Sequence, residues 1–228
     1  MATPDQHDPG EPPAVHPGLR SIRIAGQGTW RMSREHARSM LPILRGGETI
    51  RWRAVAADAL EPGDLVFYGI PASRPRREPA DEGGALAGRL AADRLTLSVH
   101  RLVRIERSAD GTVLLRTKGD GRPAPDVEPI PEENLVGVVY AFEREGRLYR
   151  LDTPAARRHA RRVLAVSRLG AAVHRPAVLA DAVLRRLTLR RFDPRPFRAL
   201  AAGAQAAAQR VLHRLAFRRA HPPESASP

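Results

Sequence analysis

The run Thr96-Leu97-Ser98-Val99-His100-Arg101-Leu102-Val103-Arg104-Ile105 is followed, after Ala109-Asp110-Gly111, by Val113-Leu114-Leu115-Arg116-Thr117. Both runs are rich in β-branched and apolar residues, which suit a pleated, half-buried surface. An Asp-Gly pair between two such runs signals a hairpin, because glycine reaches positive φ at no steric cost. The same texture recurs on either side. Ser21 to Ala25 alternates polar and apolar residues, and Thr49 to Val55 carries Ile50 and Trp52. Leu65 to Ile70 follows the turn Glu61-Pro62-Gly63-Asp64. Leu135 to Phe142 and Arg147 to Leu151 flank Arg144-Glu145-Gly146, a second hairpin. Strands joined by short turns predict a mainly β fold, with an antiparallel β domain over residues 20–152.

Two stretches interrupt this pattern. Pro71 to Gly88 is rich in Pro, Arg, Glu and Gly and reads as a long surface loop, and Gly121 to Pro131 as a shorter one. After Thr153-Pro154 the periodicity becomes helical. Thr153 is placed to cap a helix whose first position is Pro154. Helices are predicted over Ala155 to Leu169, Ala177 to Arg191 and Phe197 to Phe217, with Asp193-Pro194-Arg195-Pro196 breaking the second from the third. Residues 153–220 thus form a basic helical appendage. Residues 1–19 read as a disordered leader and residues 221–228 as a disordered tail.

Composition sharpens this division. Hydrophobic residues make up 42% of the 228 residues, enough for a core, but aromatics only 4%, so that core must be mostly aliphatic. Cysteine is absent, which excludes disulfides and thiolate metal sites. The net charge is +13, and residues 151–228 carry nearly all of it, with 16 Arg against Asp152, Asp181, Asp193 and Glu224. Such asymmetry points the appendage toward an anionic membrane surface or an acidic partner. Nucleic acid fits less well, because few aromatics are present there to stack on bases. No segment offers the roughly 18 consecutive apolar residues of a spanning helix. The first residues lack the charged-then-apolar order of a secretory signal. A cytoplasmic protein, at most held peripherally at a membrane, is the expectation.

Three boxes carry the chemistry. The first is Ala37-Arg38-Ser39-Met40-Leu41-Pro42, followed by Arg45-Gly46-Gly47-Glu48. The second is Ser98-Val99-His100-Arg101, and the third is Thr117-Lys118-Gly119-Asp120, with Asp126 beyond it. Pro62-Gly63-Asp64-Leu65-Val66 lies between the first two. Taken alone, Ser39 reads as a helix or turn cap, and His100 as a hydrogen-bonded strand histidine. The four segments in this order resemble the signal peptidase I superfamily over roughly residues 35–142. The His-Arg pair at the base position is similar to its archaeal and endoplasmic-reticulum branch rather than to the bacterial Ser–Lys branch.

The resemblance implies a serine endopeptidase acting on a peptide or protein substrate, with Ser39 as nucleophile and His100 as general base. It puts the orienting carboxylate at Asp126, with Asp120 as the second candidate, and makes Met40 and Pro42 substrate-contacting positions beside the nucleophile. The chemistry is consistent with those roles. A serine hydroxyl needs an adjacent base, an imidazole can serve near neutral pH, and a carboxylate on the other ring nitrogen fixes the tautomer. The oxyanion would need backbone N–H groups, that of Ser39 among them. The chain departs from the family's wording at Ala37, where glycine is common, and at Glu48, where aspartate is. The family's usual membrane anchor ahead of the serine box is not found here, so a cytoplasmic precursor is the expected substrate. The alternative is an inactive adaptor that binds peptides on the same fold. No metal-ligand spacing, phosphate loop or dinucleotide fingerprint occurs, so no cofactor is expected.

Overall fold

The computed structural model describes residues 17–71, 95–122, 124–166, 168, 203–204, 207–208, 211, 217 and 223–225. Nine strands among them form one sheet. They are β1 (Gln27–Arg31), β2 (Thr49–Arg53), β3 (Leu65–Pro71), β4 (Leu95–Arg107), β5 (Val113–Lys118), β6 (Ile130–Pro131), β7 (Leu135–Arg144), β8 (Arg147–Arg150) and β9 (Pro223–Ser225). The order is β1-β2-β7-β3-β4-β5-β6, with β8 on β7 and β9 on β8, and every pairing is antiparallel. The mainly β expectation therefore holds. Both hairpins form where their turn residues stand, with Gly111 at φ 86°, and Glu145 and Gly146 at φ 53° and 70°.

Strand β4 organises the sheet. Its first half pairs with β3 (Leu95 to Arg101) and its second half with β5 (Arg101 to Arg107). His100 and Arg101 thus sit where one strand changes partners. The ladder shifts register between Leu102 and Arg104, which bends the strand away from its first partner. Neighbouring side chains on β3 serve opposite faces. Phe67 joins a core with Trp52, Phe142, Met40 and Leu44, while Val66 and Tyr68 join another with Leu102, Leu115 and Leu135. Each fully buried large side chain here contributes about 2–3 kcal/mol.

Several local expectations need correction. Ser21 to Ala25 is not a strand, because helix α1 (Pro17–Ile24) runs through it, and residues 17–19 belong to that helix rather than to a disordered leader. Leu19 and Ile22, three apart, are the buried residues, whereas Ile24 is 78% exposed. The alternation of Ile22 and Ile24 had the wrong period for what is buried. The first strand is instead Gln27–Arg31, an edge strand whose Gly28 lies against the Trp52 ring. Within the expected tail, Pro223–Ser225 pairs with β8. Backbone hydrogen bonding to an edge strand makes little demand on side-chain pattern, which is why composition missed it.

Helix α3 (residues 154–166) starts as expected. Thr153 Oγ1 accepts from Ala156 N–H at 3.1 Å, and its carbonyl accepts from Arg157 N–H at 2.9 Å. The helix buries Ala156, His159, Val163 and Leu164. Phe217 makes tilted ring contacts with Phe142 and Tyr149 and an edge contact with His159. The helix expected at Ala177 to Arg191 lies outside the described residues, as does the loop after Pro71; the described positions from 203 to 217 are helical. Among the described residues no helix is long and apolar enough to cross a membrane.

Candidate active site

The segment that bears Ser39 is short and heavily anchored. Helix α2 (Arg34–Ala37) runs into a 3-10 turn over Arg38–Met40. Met40 is fully buried in the core, and Leu44 and Ile43 N–H groups bond back to its carbonyl. Glu48 closes the segment. It accepts from Arg45 N–H at 2.8 Å and from Arg144 Nε at 2.5 Å, while Arg144 Nη2 donates to the Ile43 carbonyl at 2.7 Å. Burial pushes the Glu48 carboxyl up, against the opposing pull of those two arginine donors. Glu48 and Arg144 together tie the loop to β7.

The turn after β5 braces Ser39 from behind. Gly121 N–H donates to the Ser39 carbonyl at 2.8 Å. Gly119 lies so close that a Cβ there would stand 2.5 Å from the Ser39 carbonyl oxygen and 2.9 Å from its Cβ. That approach explains why the third box needs glycine at this position.

His100 faces Ser39 from β4. Its Nε2 lies 2.8 Å from Ser39 Oγ, and its Nδ1 lies 2.5 Å from Asp126 Oδ2. Asp126 is held by its own N–H to the Thr117 carbonyl at 2.9 Å and by Thr117 Oγ1, which donates to Oδ2 at 2.7 Å. Burial raises the Asp126 pKa, but bonds from His100 and Thr117 and the charges of His100 and Arg122 outweigh it and hold the carboxyl below its ordinary range. An ionised carboxylate at 2.5 Å requires a proton on Nδ1, since two acceptors would otherwise face each other. Nε2 is then the acceptor for the Ser39 hydroxyl. This is the tautomer a serine nucleophile needs.

Of the two aspartates, the structure brings Asp126 to His100 and not Asp120. Asp120 takes both Arg101 Nε and Nη2, at 2.7 and 2.6 Å, and Arg101 Nη1 donates to the Gly63 carbonyl at 2.6 Å. Arg101 and Asp120 are both almost fully buried. The arginine after the histidine therefore clamps the third box to the turn before β3. Lys118 is buried beside them, donates to the Gly119 carbonyl at 3.4 Å, and is driven down to about 8, chiefly by burial. Met40 is corrected as a substrate contact, because its side chain belongs wholly to the core. Pro42 is half-buried and does not line the groove at Ser39.

That groove has a volume of about 690 Å³. Ser39, His100 and Asp126 lie along it with Thr96, Ser98 and Ile70, and Val127, 93% exposed, stands at its rim. Sequence reasoning missed two residues of the site. Thr117 stands in the third box but carried no assigned role. Tyr68 places its hydroxyl 3.0 Å from His100 Nδ1. The available signal was its register, since Tyr68 pairs with Ser98, which shares the His100 side of β4. No cluster of three or more potential metal ligands occurs among the described residues. No family model matches the chain, and neither a curated protein nor a solved structure does.

Proposed function

We propose that this chain is a serine endopeptidase that cleaves a precursor peptide or protein through an acyl-enzyme on Ser39. The observation that carries the reading is the unbroken run Ser39 Oγ, His100 Nε2, His100 Nδ1, Asp126 Oδ2, with spacings of 2.8 and 2.5 Å. The similarity of the boxes to the signal peptidase I superfamily supports the same chemistry.

In this mechanism a peptide lies extended in the groove. Ser39 Oγ attacks the scissile carbonyl carbon as its proton passes to His100 Nε2. The imidazolium, stabilised by Asp126, protonates the departing amine as the C–N bond breaks. Water then attacks the ester with His100 again taking a proton, and the acid product leaves with Ser39 restored. A cytoplasmic precursor is the proposed substrate. The exposed Arg158 and Arg162 of α3 support a second contact, with an anionic membrane surface or an acidic partner.

Peptide-library cleavage read by mass spectrometry tests the proposal, comparing wild type with Ser39→Ala and His100→Ala. Cleavage by wild type alone supports it. Equal cleavage by all three sinks it, and peptide affinity without turnover in the wild type establishes the adaptor alternative.

A further inference from the structure

We infer that Tyr68 is a positioning residue, whose hydroxyl oxygen accepts a second hydrogen bond from His100 Nδ1–H and so helps hold the imidazolium formed during catalysis. The inference rests on the reading of His100 as the base, and it follows from counting protons.

Tyr68 is 2% exposed, so its hydroxyl has little access to bulk water. It lies 3.0 Å from His100 Nδ1 and within hydrogen-bonding reach of Ser98 and Thr117. Thr117 has one hydroxyl proton, which it gives to Asp126 Oδ2. A bond between Tyr68 and Thr117 must therefore run from the tyrosine to the threonine. Nδ1 carries a proton because Asp126 stands 2.5 Å away. Facing that N–H, Tyr68 Oη offers a lone pair. His100 thus donates to both Asp126 and Tyr68, Thr117 donates to Asp126, and the phenol proton is left for Ser98 or Thr117.

A tyrosine that instead donated to Nδ1 would demand the opposite tautomer and disarm Nε2. The proton that Asp126 requires on Nδ1 forbids this. Burial and the nearby Asp126 push the Tyr68 phenol up to about 12, so it stays protonated at any working pH.

The test is Tyr68→Phe, which keeps the ring and removes only the acceptor. Wild-type cleavage that is lost in Ser39→Ala first establishes the underlying reading. Tyr68→Phe then lowers kcat by about tenfold or more with KM unchanged, since bonds to charged groups are the strong ones. It also moves the acid limb of the kcat/KM profile to lower pH, because the imidazolium has lost a partner. A merely structural loss would lower the rate without moving that limb. In the resting protein, the downfield proton resonance that disappears in His100→Ala is displaced in Tyr68→Phe. If Tyr68→Phe fails to fold, 3-fluorotyrosine at position 68 keeps the hydroxyl but weakens it as an acceptor, and displaces both readouts the same way. An unmoved acid limb in an active enzyme overturns this inference while leaving the peptidase reading intact. An unmoved resonance overturns it even if no peptide is cleaved.

Discussion

Adding one methyl group to Gly119 is expected to disable Ser39 without touching it. The backbone of Gly119 is not in the left-handed region, so alanine meets no φ penalty. The obstacle is space. The new Cβ would stand 2.5 Å from the Ser39 carbonyl oxygen, where ordinary contact begins at 3.4 Å. The two segments must therefore separate by about 0.9 Å, by difference of those distances. The neighbour is backbone, tied down by Gly121 N–H at 2.8 Å, and cannot swing aside like a flexible side chain. A displacement of that size opens the 2.8 Å contact between Ser39 Oγ and His100 Nε2 beyond hydrogen-bonding range. Misplacement by about 1 Å costs on the order of 100-fold in rate, or about 2.7 kcal/mol of transition-state stabilisation. Overpacking costs about 1–3 kcal/mol of stability, which lowers Tm by a few to about 10 °C. The assay pairs kcat/KM on a cleavable peptide with thermal unfolding. A folded Gly119→Ala protein that cleaves at the wild-type rate would refute the claim that this turn sets the nucleophile.

The hairpin glycine provides the control: Gly111→Ala, at φ 86° with nothing within 4 Å, should cost about 1 kcal/mol in stability and leave kcat unchanged. The two aspartates should separate cleanly. Asp126→Asn is expected to lower kcat by about 10⁴-fold with the fold intact, whereas Asp120→Asn, which leaves Arg101 buried against a neutral partner, should cost about 3 kcal/mol in denaturant unfolding. The reverse assignment of those effects would count against the site. Lys118→Met should stabilise the protein. Depression of the lysine from 10.5 to about 8 corresponds to a cost of about 3 kcal/mol near pH 7. Between those pH values the unfolded chain holds a proton that the folded chain has lost, so the wild type gains stability with pH there relative to the Met variant. Parallel curves for the two proteins from pH 8 to 10.5 would contradict this.

The hairpins and the long central strands were legible because their signals are local: an Asp-Gly or Glu-Gly turn between β-forming runs. The resemblance carried by the box order likewise pointed to Ser39 and His100, and to Asp126 ahead of Asp120, before any distance was known. What stayed hidden depended on partners far away in sequence. Gln27–Arg31 has little strand character of its own and is a strand because β2 pairs with it. Ser21 to Ala25 alternates like a strand, but the packing of Leu19 and Ile22, three residues apart, makes it helical. Met40 looked like a groove residue because it follows Ser39, but a 3-10 turn sends adjacent side chains in different directions, one to the groove and one to the core. The choice between Asp120 and Asp126 hinged on Arg101, whose side chain reaches the one and leaves the other to His100. Tyr68 could be found only through the register of β3 on β4.

A nucleophilic Ser39 would carry a covalent acyl group during turnover. Mixing the protein with an activated peptide ester, quenching in acid and measuring intact mass tests it most directly. The expected adduct equals the acyl half of the substrate, lies on the peptide that contains Ser39, and is absent from Ser39→Ala. An adduct of the same size on the Ser39→Ala protein would contradict it.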